Sequence, residues 1–164
     1  MKLNKIDKLL GKLSLYLDRI AGIAMLFLVF LFTANIILRA VWQPINFAYD
    51  LSGLVSTIVV AFSIAYCTYE NGHVRVDLLF AKFPKKVQRV IEVCYSFAAM
   101  LTFGYCTYAL VKYTIKSFAN EMVSMTNKIP FGPFAVCVTI GFFVMTLVMI
   151  LQFIKLVTRK EETE

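Results

Sequence analysis

Residues 20–38 read IAGIAMLFLVFLFTANIIL, without one Asp, Glu, Lys, Arg or His. The same holds for 51–69, 93–111 and 129–154, so four separate runs are each 19 residues or longer. A helix rises about 1.5 Å per residue and needs roughly 20 residues to cross the hydrocarbon core of a bilayer. Unpaired backbone N–H and C=O groups are too costly in lipid, so a helix is the spanning form that such runs favour. The chain is therefore expected to be an all-α integral membrane protein of four helices, with spans at 20–41, 50–70, 88–112 and 130–155. At 164 residues and 60% hydrophobic content, these spans and their connections use nearly the whole length, and 1–164 reads as a single membrane domain.

The net charge of +7 would point to nucleic acid in a soluble protein, but its distribution points to a membrane. Lys2, Lys5, Lys8, Lys12 and Arg19 precede the first span; Arg75, Lys82, Lys85, Lys86 and Arg89 lie between spans two and three; Lys155, Arg159 and Lys160 follow span four. These thirteen share one side, against four (Arg39, Lys112, Lys116 and Lys128) on the other. The positive-inside rule places both termini in the cytoplasm, and an even number of spans independently requires that they share a side. Lys82, Lys85, Lys86 and Arg89 are candidates for contact with anionic lipid headgroups, worth about 1 kcal/mol each near the surface. Trp42, Phe47 and Tyr49 at one face and Tyr66, Tyr69 and Tyr95 toward the other suit the aromatic belts found at headgroup depth.

Ahead of the first span, Leu3, Ile6, Leu10, Leu13 and Leu17 recur at intervals of three and four. They predict an amphipathic helix over 3–17 lying in the cytoplasmic interface. A secretory signal peptide is the competing reading, but the apolar core of 20–38 is longer than a signal core and ends without a small-x-small cleavage site. Pro44 and Asn46 predict a tight turn between spans one and two, after which Asp50 opens span two at the positive end of the helix dipole. Ser52, Gly53, Ser56, Thr57, Ala61, Ser63 and Ala65 allow close approach of another backbone, so span two is the expected buried helix; spans one and four, rich in Phe, Leu, Ile, Val and Met, suit lipid or broad packing. Between spans two and three, Asp77 is placed to cap a short cytoplasmic helix over 78–83, and Pro84 suits the first turn of the next. Residues 129–133, Ile-Pro-Phe-Gly-Pro, break the chain before span four.

Several four-span functions make demands that this pattern does not meet. A haem anchor needs facing histidines within the membrane, and the only histidine, His73, falls in a connection. A thiol oxidase wants paired cysteines; Cys67, Cys94, Cys106 and Cys137 form no Cys-x-x-Cys pair and read as small buried apolar residues. Proton-coupled export calls for an intramembrane carboxylate, and an ionisable group inside lipid, kept at a cost of several kcal/mol, marks a solute pathway. No Asp, Glu, Lys, Arg or His stands in the four runs. Neither enzyme activity nor a cofactor or metal site is expected of this chain, and a self-sufficient ion carrier is disfavoured.

Residues 70–79 read ENGHVRVDLL. This stretch, placed directly after span two, resembles the signature of the small, Q-type membrane subunit of tripartite ATP-independent periplasmic (TRAP) transporters. The basic amphipathic start, the acidic Asp50 opening span two, Pro84 followed by basic residues and the Ile129-Pro130 pair before span four follow that family's order over almost the full length. Two details depart from it: Phe47 and a single Asp50 stand where members often carry a Trp and an acidic pair, and Thr139-Ile140-Gly141-Phe142 replaces a frequent Pro-x-Gly-Phe.

The resemblance implies an accessory scaffold subunit in the inner membrane of a bacterium or archaeon. It would bind and anchor a large, M-type membrane subunit, on which the substrate and sodium sites lie, while an extracytoplasmic binding protein delivers an organic anion. Arg75 and Asp77 are then candidates for fixing the cytoplasmic loop, Asp50, Glu70 and His73 with them for structural or partner contacts, and Asp50 and Glu121 for touching the binding protein through the outer connections. The alternative is a stand-alone tetraspan scaffold or assembly factor outside any transporter.

Overall fold

In a computed structural model, residues 2–41, 43, 47–70, 85–124 and 127–158 are described, and four helices account for nearly all of them: α1 (Lys2–Val41), α2 (Ala48–Tyr69), α3 (Lys85–Ala119) and α4 (Gly132–Thr158). All four are long and apolar enough to cross a membrane. α1 has 40 residues and so extends about 60 Å, twice the thickness of a hydrocarbon core. The amphipathic segment 3–17 is helical, and it is the first part of α1, running into span one without a break; no proline interrupts the chain before Pro44. Leu10 and Leu17 of its stripe are buried, whereas Leu13 is exposed. The short helix expected over 78–83 lies outside the described residues.

The helices form an open row. α2 packs between α1 and α4, α4 packs between α2 and α3, α1 reaches α4 only marginally, and α3 has substantial contact with α4 alone. The start of α1 and the end of α4, the helices that lead to the two termini, lie at one end, where Lys155 Nζ of α4 meets Asp7 Oδ1 of α1 at 2.5 Å. The opposite end carries the α1–α2 and α3–α4 connections and is called here the hairpin end. Span two is an inner helix, as its small residues led one to expect, but α4 is the more buried: 39% of its most apolar window against 28% for α2. The reason is positional: α2 and α4 each pack between two neighbours, but α4 also grazes α1. The four cysteines are free; Cys67 and Cys94 are exposed and Cys106 and Cys137 half-buried, so none is the buried apolar residue that the sequence implied.

Leu17 and Ala21 of α1, Phe62 and Ala65 of α2 and Val144 and Met145 of α4 make one buried cluster. Its spacing is set by Gly141. A Cβ added there would stand 2.5 Å from the backbone oxygen of Ala61 and 2.8 Å from its carbonyl carbon, so the two helix backbones are in direct contact at this crossing. Helices in lipid gain little from the hydrophobic effect and associate through close packing and hydrogen bonds, which makes a missing side chain the most effective contact residue.

α3 is held to α4 differently. Thr107 Oγ1 lies 2.9 Å from Thr146 Oγ1, and Thr114 Oγ1 lies 2.9 Å from Thr139 Oγ1. The pairs are seven residues apart on both helices, which run antiparallel, so they occupy equivalent places on successive double turns of one seam. In each pair one hydroxyl donates to the other, which is then free to donate to the carbonyl four residues before it, Leu110 O for Thr114 or Ala135 O for Thr139, and this keeps the pair satisfied inside the membrane.

Replacing Gly141 by Ala should therefore separate α2 from α4 and cost about 1–3 kcal/mol, the usual penalty for an overpacked contact. Gly53→Ala, at a position where an added Cβ meets nothing within 4 Å, should leave stability unchanged. Detergent-titration unfolding of the two variants makes the comparison; equal midpoints would remove Gly141 from its role. A double-mutant cycle on Thr114→Val and Thr139→Val should return a coupling of about 0.6 kcal/mol, typical of intramembrane side-chain pairs. A coupling of zero would show that the seam is held by packing alone.

Candidate functional site

Of the residues that the sequence singled out, His73, Arg75, Asp77 and Lys82 lie outside the described residues, as do the side chains of Lys85, Lys86 and Arg89 at the start of α3. Asp50, Glu70 and Glu121 are described, and they do not come together: Asp50 and Glu121 stand at the hairpin end and Glu70 at the end that carries the termini.

At the hairpin end, Asp50 sits in the first turn of α2, where Phe47 caps the helix without a side-chain hydrogen bond. Its half-buried carboxylate does more than offset the helix dipole. Oδ2 accepts hydrogen bonds from Ser124 Oγ and, at 3.1 Å, from Asn127 Nδ2, both on the α3–α4 connection. That connection is itself ordered by the backbone. Met122 N–H donates to Ser117 O at 3.1 Å and Glu121 N–H to Phe118 O at 3.4 Å, which closes α3 with a Schellman motif and puts Glu121 in the left-handed region at φ 44°. Beyond it, Val123 bridges Pro130 in antiparallel fashion, Phe131 N–H donates to Met122 O at 3.0 Å and Ser124 N–H to Ile129 O at 2.9 Å. Lys128 is the second non-glycine residue with positive φ, at 53°. A side chain in this region costs of order 1 kcal/mol or more, so two of them in one short connection need support from outside it. The Asp50 carboxylate supplies that support by tying the connection to α2. Glu121, expected as an external contact, is exposed and serves first as the residue that ends α3.

At the other end, Glu70 lines a groove of about 680 Å³ with Asp7, Glu92, Lys155, Tyr69, Ser96 and Gln152. Gln152 Nε2 donates to Thr68 O at 2.6 Å, satisfying one of the carbonyls that the last turn of α2 leaves without an intrahelical partner. Among the described residues, three carboxylates and one ammonium line the groove. Among the described residues no set of His, Cys, Asp and Glu is grouped so as to hold a metal ion. The arrangement binds helix ends to one another.

Sequence reasoning missed Ser124 and Asn127 as partners of Asp50, the four threonines of the α3–α4 seam, and the meeting of Asp7 with Lys155. One signal was available: Thr107 and Thr114 in span three and Thr139 and Thr146 in span four repeat at the same interval of seven in two helices that must run opposite ways. Replacing Asp50 by Ala should release the connection, since a hydrogen bond to a charged group contributes about 1.5–3 kcal/mol. Hydrogen exchange at the Ser124 and Lys128 amides should then quicken by roughly tenfold to a hundredfold, each 1.4 kcal/mol being a factor of ten. Unchanged exchange would mean that the backbone bonds suffice by themselves.

A bundle of four apolar helices, tied at both ends and lacking any charged group in its apolar runs, is consistent with what comparison with known proteins finds. A family model described as tripartite ATP-independent periplasmic transporters, DctQ component, matches residues 28–159, which is 132 of the 164 residues. No curated protein and no solved structure matches the chain. The family match takes in all of α2, α3, α4 and the hairpin-end connections, and the last 14 of the 40 residues of α1. The chain thus belongs to the DctQ component family of the tripartite ATP-independent periplasmic transporters.

Proposed function

We propose that this chain is the accessory scaffold subunit of a sodium-coupled TRAP transporter for organic anions, and that it binds and anchors the large M-type transport subunit. Family membership supports a place in such a transporter. The observation that carries the accessory part is the chemistry of the interior. No Asp, Glu, Lys, Arg or His stands in the four apolar runs, and the hydroxyls of the α3–α4 seam are committed to one another and to the backbone. A site for sodium or a carboxylate needs several oxygen or nitrogen groups turned toward one point. Such groups would then belong to the large subunit, with an extracytoplasmic binding protein delivering the substrate. The excess of basic residues at the end with the termini supports placing that end in the cytoplasm of a bacterium or archaeon, with lipid headgroups against Lys82, Lys85, Lys86 and Arg89. In this orientation the connection fastened by Asp50 faces the binding protein, with Glu121 exposed upon it.

Affinity purification from native membranes in mild detergent should recover this chain in a one-to-one complex with a much larger membrane protein. In liposomes the purified chain alone should move no organic acid, and adding the large subunit and binding protein should restore sodium-driven uptake. Sodium-driven accumulation by the chain alone, or purification without a large partner, would overturn the proposal.

A further inference from the structure

We infer that the side of α3 turned away from α4 is a protein-binding face that docks a spanning helix of the large membrane subunit; this rests on the function proposed above. Burial and polarity run opposite to what lipid would select. α4, with the highest mean hydropathy, 2.7, is the most buried helix, whereas α3, with the lowest, 1.3, has only 6% of its most apolar window buried. A helix surrounded by lipid should be the more apolar, since lipid has no partner for a hydroxyl. α1 obeys that rule: its window is 11% buried, its mean hydropathy is 2.5, and Ile23, Leu26, Phe27 and Phe30 cover its exposed surface. α3 does not.

Small and polar residues exposed on α3 are ordered. Ala98, Thr102, Tyr105, Ala109, Lys112 and Lys116 are all exposed and recur at intervals of four and three, the period of a helix–helix seam. From Tyr105 to Thr107 the helix turns about 200°, so this stripe lies diametrically opposite the threonines that hold α4. Thr102 is nine residues from either end of the apolar run 93–111, at a depth of about 14 Å. Tyr105 is 73% exposed one turn further along, and its hydroxyl has no hydrogen-bond partner among the described residues. Ala98 and Ala109 leave room on either side of it for another backbone. At the hairpin end, the side that the positive-inside rule keeps poor in cations, Lys112 and Lys116 continue the stripe. Lys112 Nζ lies 5.0 Å from the centre of the Tyr108 ring, and neither lysine makes an ion pair among the described residues. The occupant that fits is a membrane-spanning helix with an acceptor for the Tyr105 hydroxyl near mid-membrane and a carboxylate at the level of the lysines.

The test is photo-crosslinking in native membranes that hold the whole transporter, with p-benzoylphenylalanine in place of Ala98 or Ala109 and, on α1, in place of Leu26 or Phe30. Adducts between this chain and the large subunit are expected from the α3 positions and not from the α1 positions. The pair Lys112→Glu and Lys116→Glu should lower recovery of the complex about tenfold or more, because like charges placed face to face cost several kcal/mol. Adducts from α1 alone, an adduct at twice the mass of this chain, or no adduct from α3 although the two subunits copurify would overturn the assignment of this face while leaving the accessory role intact. Failure of the wild-type subunits to copurify would overturn both.

Discussion

The contact between Gly141 of α4 and the Ala61 carbonyl of α2 sets the geometry on which the other contacts depend. With no side chain at that point, the two central helices approach until backbone touches backbone. Only at such a distance do Phe62, Ala65, Val144 and Met145 close on one another and receive Leu17 and Ala21 from α1. In water, a hydrophobic surface gathers helices even when they fit loosely; in lipid a loose fit gains nothing over contact with acyl chains. The inner pair therefore has to be tight, and its tightness lets α1 and α3 be added on either side as single layers.

The two outer helices are attached by different physics. α1 brings a long apolar stripe to α2, with Ala21 and Ser14 fully buried, and its link to α4 at the end with the termini is the Asp7–Lys155 pair. That pair is partly exposed and belongs to a class that contributes from nothing to about 1 kcal/mol, so it selects an arrangement more than it stabilises one. α3 brings hydroxyls. The Thr107–Thr146 and Thr114–Thr139 pairs fix its rotation about its own axis, and Asp50 then fixes the connection that leads from it to α4. Because the rotation is fixed, the stripe from Ala98 to Lys116 faces outward as a consequence of which residues are threonine on the other side.

The fold class was legible because excluding charge from 19 or more consecutive residues leaves an unmistakable mark, and lipid imposes it on every span. Helix ends were legible where the chain carries chemistry that ends helices, as at Pro130 and Asp50. What could not be read is whatever depends on the mutual register of helices far apart in sequence. Ser124 and Asn127 are 74 and 77 residues from Asp50, and nothing in either segment alone points to the other. The stripe at 3–17 shows the same limit: periodicity marks an apolar side, but whether Leu10 and Leu17 meet lipid or a neighbouring helix depends on how far α1 continues and what stands beside it. Glu121 illustrates a third case. Its charge makes it a candidate for external contact, yet it holds a backbone conformation for which glycine is the usual residue, and a side-chain pattern carries no sign of that.

An open row of four helices exposes more side-chain surface than a closed bundle of the same length. A carrier that works by itself needs the opposite, an interior that can face each side of the membrane in turn. The row also leaves α3 with one neighbour, so the least apolar helix stands at an edge, where a closed bundle would have hidden it. These features cohere if the row is one layer of a larger assembly: the inner pair supplies rigidity, the threonine seam and the Asp50 tie hold the edge helix at a fixed rotation, and the outward polar stripe is completed by a partner. The absence of charged groups from the apolar runs and the presence of hydroxyls on an outer face then have one explanation, since a subunit that braces another needs a surface to offer and no solute path of its own.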